Sequence, residues 1–137
     1  MKLCSACLLG VKCRFDGAGK PNEIIIALSK KEHFLPVCPE QLGGLSTPRR
    51  PAEIRGSKVI TDLEEDLTPQ FNRGAEEVLK LAKHYEITEA ILKQRSPSCG
   101  CGKVHDGTFS GKIIKGDGIT AALLKKNGIS VISEEEL

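Results

Sequence analysis

Hydrophobic positions along the chain fall into short blocks whose period changes from one block to the next. Residues 2–6, 34–38, 89–93 and 130–132 are short and apolar, the length and character of buried strands. Residues 67–85 follow a different rhythm: Phe71, Ala75, Val78, Leu79 and Ala82 recur at helical spacing and form one apolar stripe. A helix is also predicted over 21–31, opened by Pro21, with Ile24, Leu28 and Lys31 on neighbouring turns. Another is predicted over 118–126, closed by Asn127 and Gly128 as a left-handed cap. Residues 58–61 read as an edge strand. Three stretches are punctuated by Gly, Pro or Cys: 7–19, 40–55 and 94–107. The first and last read as loops, and 40–55 as a loop or a single helical turn.

Strands that alternate with helices predict a single compact α/β domain over 1–137. Its sheet should be mostly parallel, Rossmann-like and flanked by helices on both faces. In such a sheet the ligand crevice lies at the carboxyl ends of the strands. Cys7 follows the first strand, Cys38 ends the second and Cys99 follows the third. All three thiols are therefore expected at one edge.

Composition narrows the chemistry. The chain has 137 residues, 39% hydrophobic but only 4% aromatic, with no Trp, so the core should be aliphatic. A net charge of +2 gives no case for nucleic acid or an anionic membrane as partner. No apolar run nears the roughly 20 residues that span a bilayer. The first ten residues superficially resemble a lipoprotein signal, but the apolar core of one is missing and Arg14 and Asp16 follow at once. The expected location is cytoplasmic, where thiols stay reduced. Six cysteines then point to metal or redox chemistry before disulfides. Small buried hydrophobes are the plain alternative, weakened because these cysteines sit beside Gly and Pro.

The spacings argue against the common metal sites. Cys4 and Cys7 make a C-x2-C, but no second C-x2-C or His pair completes a zinc ribbon. The tight run of ferredoxin cysteines is absent as well. What remains is a site built from distant loops, which suits a cubane iron–sulfur cluster. Cys7, Cys38 and Cys99 are the ligand candidates, each at a strand-to-loop transition. Cys4 alternates with Ala6 and should be buried. Cys13 sits in a loop able to fold back, and Cys101 is expected to be a flexible bystander. Glu40 is either the first-turn carboxylate of a helix starting at Pro39 or a general base beside a metal. Ser96 and Ser98 either cap a turn or donate to a substrate. Arg49, Arg50 and Glu53 form either a solvated ion-pair patch or a lid.

Four segments carry a resemblance. They are Ser5-Ala6-Cys7-Leu8-Leu9-Gly10 with Arg14-Phe15-Asp16-Gly17; Pro36-Val37-Cys38-Pro39-Glu40; Gly43-Gly44-Leu45 with Pro48-Arg49 and Pro51-Ala52-Glu53; and Lys93 with Ser96-Pro97-Ser98-Cys99-Gly100. In this order they closely resemble the thiouracil desulfurase family. The resemblance implies a [4Fe-4S] cluster held by Cys7, Cys38 and Cys99, with one iron left open. It implies Glu40 as catalytic acid/base, Ser96 as the assisting serine and Cys13 as an outer-shell residue, and gives Cys4 and Cys101 no role. The implied substrate is a small thiolated pyrimidine such as 2-thiouracil, converted to uracil and sulfide without net electron transfer. An open iron would suit that task, because it is a Lewis acid and thiocarbonyl sulfur is a soft ligand. Two other readings stay open. One is sulfur transfer through a persulfide on Cys13 or Cys101. The other is a non-catalytic iron–sulfur or zinc module sensing redox state, which leaves Glu40 and Ser96 unexplained.

Overall fold

The computed structural model describes residues 1–137. Its centre is a four-stranded, all-parallel sheet of β1 (Lys2–Ser5), β2 (Phe34–Val37), β5 (Glu89–Leu92) and β8 (Ser130–Ser133), in the order β2-β1-β5-β8. Register explains the two-sided core. Leu3 pairs with Leu35 and Ala90, and Ala90 with Val131. This row packs with Val78, Ala82, Ala121 and Leu124, which belong to α3 (Thr68–His84) and α4 (Ile119–Lys126). Cys4 pairs with Ile91, and Ile91 with Ile132. That row faces the other way, against Ile25 of α1 (Glu23–Ser29) and Leu8. The period of two along each strand thus serves both faces.

The chain starts at β1, steps outward to β2, then returns to β1's other side for β5 and β8. Right-handed crossovers in opposite directions put their helices on opposite faces, which is why α1 stands alone and α3 and α4 stand together. The reversal leaves a crevice between the carboxyl ends of β1 and β5, where ligands bind in sheets of this kind.

Several sequence expectations need correction. The 58–61 segment is β4 (Lys58–Thr61), but it pairs antiparallel with β3 (Ala52–Arg55) in a separate hairpin, not at the main sheet's edge. The 40–55 stretch holds most of α2 (Pro39–Leu42), the single helical turn allowed for it, but it also holds β3, which the pattern does not predict. A second hairpin, β6 (Lys103–His105) with β7 (Ile113–Lys115), begins inside the expected 94–107 loop. Hairpins this short carry too few alternating positions to be read from pattern. In α1 the buried residue is Ile25 while Ile24 is exposed. The helix starts two residues after Pro21, at an Asn22 side chain that accepts from the Ile24 and Ile25 amides.

Two close approaches set the site-bearing segments. α2 lies directly on α3, where Gly43 and Gly74 meet: a Cβ on Gly74 would stand 1.9 Å from the Pro39 carbonyl oxygen, and one on Gly43 2.0 Å from that of Gln70. Likewise Gly118, at the start of α4, leaves room for the 97–100 loop, since a Cβ there would lie 2.5 Å from the Ser98 carbonyl. The first turn of α4 then donates to that loop, from Ile119 N to Pro97 O at 2.9 Å and from Thr120 N to Ser98 O at 2.8 Å.

Candidate functional site

A cleft of about 460 Å³ opens at the carboxyl end of the sheet, within the size range of small-molecule sites. Cys7, Cys38 and Cys99 all line it, as do Cys13, Glu40 and both serines of the 96–98 turn. Cys7 sits in the 3-10 turn Ala6–Leu9 after β1. Cys38 is the residue from which α2 begins, and Cys99 follows β5 by way of a tight turn. Cys4 is fully buried on the α1 face and does not line the cleft; burial pushes its thiol up to about 12, so it stays protonated at neutral pH.

Cys101 departs from expectation. It is buried, its thiol bonded to the Val131 carbonyl at 3.3 Å. The Gln94 side chain grips its backbone at both ends, accepting from Cys101 N at 2.8 Å and donating to Cys101 O at 2.9 Å. Flexible it is not. It also lies outside the cleft lining, so a persulfide carrier would have to be Cys13.

The ligand candidates differ in their electrostatics. Burial raises Cys7 to about 11 despite the nearby Lys93 and Arg14 charges. Cys99 is likewise held up at about 12 by burial, against hydrogen bonds from Ser5 and Ser98. Cys38 moves the other way, down to about 6, chiefly because the Cys13 thiol hydrogen-bonds it; the same contact, with burial, raises Cys13. No group of three or more His, Cys, Asp or Glu side chains is arranged to hold a single metal ion. Three separate thiols around one cleft, too dispersed for one ion, form a donor set that fits a larger, sulfur-seeking group such as a multi-iron cluster.

Glu40 meets the first of its two expectations and lines the cleft as well. It is the first-turn carboxylate of α2, and it is also largely buried, with 15% of its side chain exposed. Arg49 Nε donates to its Oε1 at 3.0 Å and Ser98 Oγ to its Oε2 at 3.0 Å. Arg49 itself is only 6% exposed, and its guanidinium also reaches Cys13 O at 2.9 Å and the Thr47 hydroxyl at 2.9 Å. One arginine therefore ties the first loop, the second ligand segment and the carboxylate together. Arg50 is the solvated partner of this Arg pair and bonds Asp62 at the surface. Glu53 is neither lid nor solvated charge, because its Oε1 accepts from Gly107 N at 3.0 Å and Phe109 N at 3.1 Å. It fastens the second hairpin to the cleft wall.

The serine that touches Glu40 is Ser98, with Ser96 one hydroxyl further out at 2.9 Å. Ser96 Oγ accepts from Ser98 N and Cys99 N, both at 3.1 Å. Those two bonds use both acceptor sites of a hydroxyl, so its proton must go to Ser98 Oγ. The single proton of Ser98 Oγ has two acceptors in reach, Glu40 Oε2 at 3.0 Å and Cys99 Sγ at 3.7 Å, and the shorter contact directs it to Glu40. The chain Ser96 to Ser98 to Glu40 is thus polarised in one direction.

Sequence reasoning missed three contributors. Glu134, in a C-terminal run of acidic residues, accepts from Gln94 N at 2.7 Å and pairs with Lys93 Nζ at 3.1 Å. Lys93 N also donates to Ser5 Oγ at 2.8 Å, closing the gap between β1 and β5. Gln94, an ordinary polar residue by composition, is 4% exposed and braces Cys101 as described. His105 lines the cleft with its Nδ1 buried and without a partner. Nothing in its sequence context marks it.

Comparison with known proteins places this geometry in a family context. The family model described as 2-thiouracil desulfurase matches residues 3–136. The protein YbbK of Bacillus subtilis (strain 168), an uncharacterized protein, is 46% identical, across all of this chain and 97% of its own length. A solved structure of the [4Fe-4S]-dependent thiouracil desulfidase TudS is 45% identical, with a TM-score of 0.94 over 99% of this chain and 91% of that one.

Proposed function

Because the chain belongs to the 2-thiouracil desulfurase family, we propose that it is a [4Fe-4S]-dependent enzyme that hydrolyses the C=S group of a thiolated pyrimidine such as 2-thiouracil, releasing uracil and sulfide. The observation that carries this reading is the pairing of three cleft-facing thiols with a buried, doubly hydrogen-bonded carboxylate in the same cleft. Cys7, Cys38 and Cys99 are the residues that would hold the cluster. Held there by three thiolates, a cluster would supply an open, Lewis-acidic iron to which a thiocarbonyl sulfur is suited.

The chain's own groups do the rest. Glu40 takes a proton from the attacking water, and hydroxide adds to the ring carbon. Each carboxylate oxygen has two acceptor sites, so Arg49 and Ser98 occupy one apiece and leave others for water. Arg49 fixes the carboxylate's orientation, while the Ser96–Ser98 chain points a hydroxyl proton at it and reorients once Glu40 is protonated. Water supplies oxygen and two protons, sulfide departs with those protons, and no electrons change hands overall.

Glu40→Gln tests the assignment. Glutamine keeps the volume and can still bond Ser98, so the visible cluster spectrum and iron content should match wild type. Sulfide and uracil release per cluster, measured anaerobically, should fall roughly 10²–10⁴-fold. Turnover at the wild-type rate would move the base elsewhere, and loss of the cluster would make Glu40 structural.

A further inference from the structure

An enzyme of this class must also grip the flat ring that carries the sulfur, and the groups described so far do not. Phe15 is the only Phe, Tyr or Trp among the cleft-lining residues, in a chain with four Phe, one Tyr and no Trp. It is 38% exposed. A single exposed aromatic residue is ordinary; what sets this one apart is how firmly its loop is held. Arg14 N bonds Ala18 O at 3.1 Å, Gly17 N bonds Arg14 O at 2.9 Å, and Ala18 N bonds the Asp16 carboxylate at 3.0 Å. Arg49 N then donates to the Phe15 carbonyl at 2.8 Å.

The same Arg49 whose backbone anchors Phe15 holds Glu40 through its guanidinium. The Phe15 backbone and the Glu40 carboxylate are therefore tied to the same residue, whose side chain is buried. The Arg14 guanidinium carbon stands 5.8 Å over the Phe15 ring centroid, inside the range of a cation–π contact. A cation on one π-face leaves the other for a planar guest.

We propose that Phe15 is the wall on which the substrate's heteroaromatic ring stacks, a substrate-binding role that rests on the desulfurase reading above. Hydroxide addition takes one ring carbon out of the plane and leaves the rest flat, so most of the stacking is common to substrate and transition state and acts chiefly on binding. It tolerates ring substitution, because every nucleobase has a π-face.

The test uses cluster-loaded protein carrying Phe15→Ala, Phe15→Leu or Phe15→Tyr. Uracil binding is measured by calorimetry beside KM and kcat for 2-thiouracil and iron content. Phe15→Ala should raise both the uracil Kd and KM about tenfold, with iron content unchanged and kcat within twofold. Phe15→Tyr should restore both constants. Phe15→Leu, which keeps apolar area without a π-face, should not. Leucine binding as well as phenylalanine, no change in Phe15→Ala, or loss of iron in step with affinity would each overturn the proposal. Should wild type bind uracil but leave 2-thiouracil intact, the desulfurase reading fails while the Phe15 comparison is still decided by calorimetry. Should it do neither, both fall.

Discussion

Gly74→Ala is the perturbation that most clearly separates this structure from a generic helix. In an exposed helix interior the change stabilises, by about 1 kcal/mol, because alanine is the better helix former. Here the new methyl carbon would sit 1.9 Å from the Pro39 carbonyl oxygen and 2.8 Å from its carbon. Both are backbone atoms of α2, so no side chain can swing aside. The helices must part by roughly 1 Å to reach even a 3.0 Å contact, and overpacking of this kind costs about 1–3 kcal/mol. Set against the helix-propensity gain, the expected net effect is a loss of about 1 kcal/mol, which lowers Tm by roughly 3–5 °C in a domain this size. Function should suffer more. Pro39 lies between Cys38 and Glu40, so the displacement moves a proposed ligand and the proposed base together. A misplacement near 1 Å can cost about 10²-fold in rate. The assay is an anaerobic thermal melt by circular dichroism, with iron content and sulfide release per cluster on the same sample. An unchanged or raised Tm together with wild-type turnover would refute the idea that the Gly43–Gly74 contact seats the site.

Two further predictions concern individual side chains. Ser98→Ala should keep the cluster spectrum and slow sulfide release about tenfold or more, in keeping with loss of one proton-relaying group, whereas Ser96→Ala frees two amides in the Cys99 turn and should first show as weaker cluster retention; the reverse pattern would undo the proton-chain assignment. Cys7→Ala, Cys38→Ala and Cys99→Ala should each lose most of their iron after reconstitution, while Cys13→Ser and Cys101→Ala should keep iron and turnover. An inactive but iron-replete Cys13→Ser would instead favour a persulfide carrier.

The legible part of this protein was the part with repeated signal. Strand periodicity at 2–6, 34–38 and 89–93 was enough to put Cys7, Cys38 and Cys99 at the carboxyl ends of three strands, and the structure gathers them in one cleft. The long stripe of α3 was equally plain. What escaped were contacts that depend on three-dimensional closure. The partner of Glu40 is Ser98, not Ser96, because the tight turn points the first hydroxyl at its own amides. Arg49 and Arg50 are adjacent and chemically identical, yet one is buried on Glu40 and the other solvated on Asp62. The path of the chain alone distinguishes them. Cys101 looked free because no sequence rule pairs it with Gln94 and with Val131 of β8.

The central claim is hydrolysis without net redox change, and the oxygen of the product tests it most directly. Cluster-loaded protein is incubated anaerobically with 2-thiouracil in 18O-enriched water, without added reductant, and the uracil is analysed by mass spectrometry beside the sulfide released. The account predicts one 18O atom at the former thiocarbonyl carbon, one sulfide per uracil, and a rate that added dithionite leaves unimproved. Uracil without the label, or sulfide that appears only when a reductant is supplied, would contradict it.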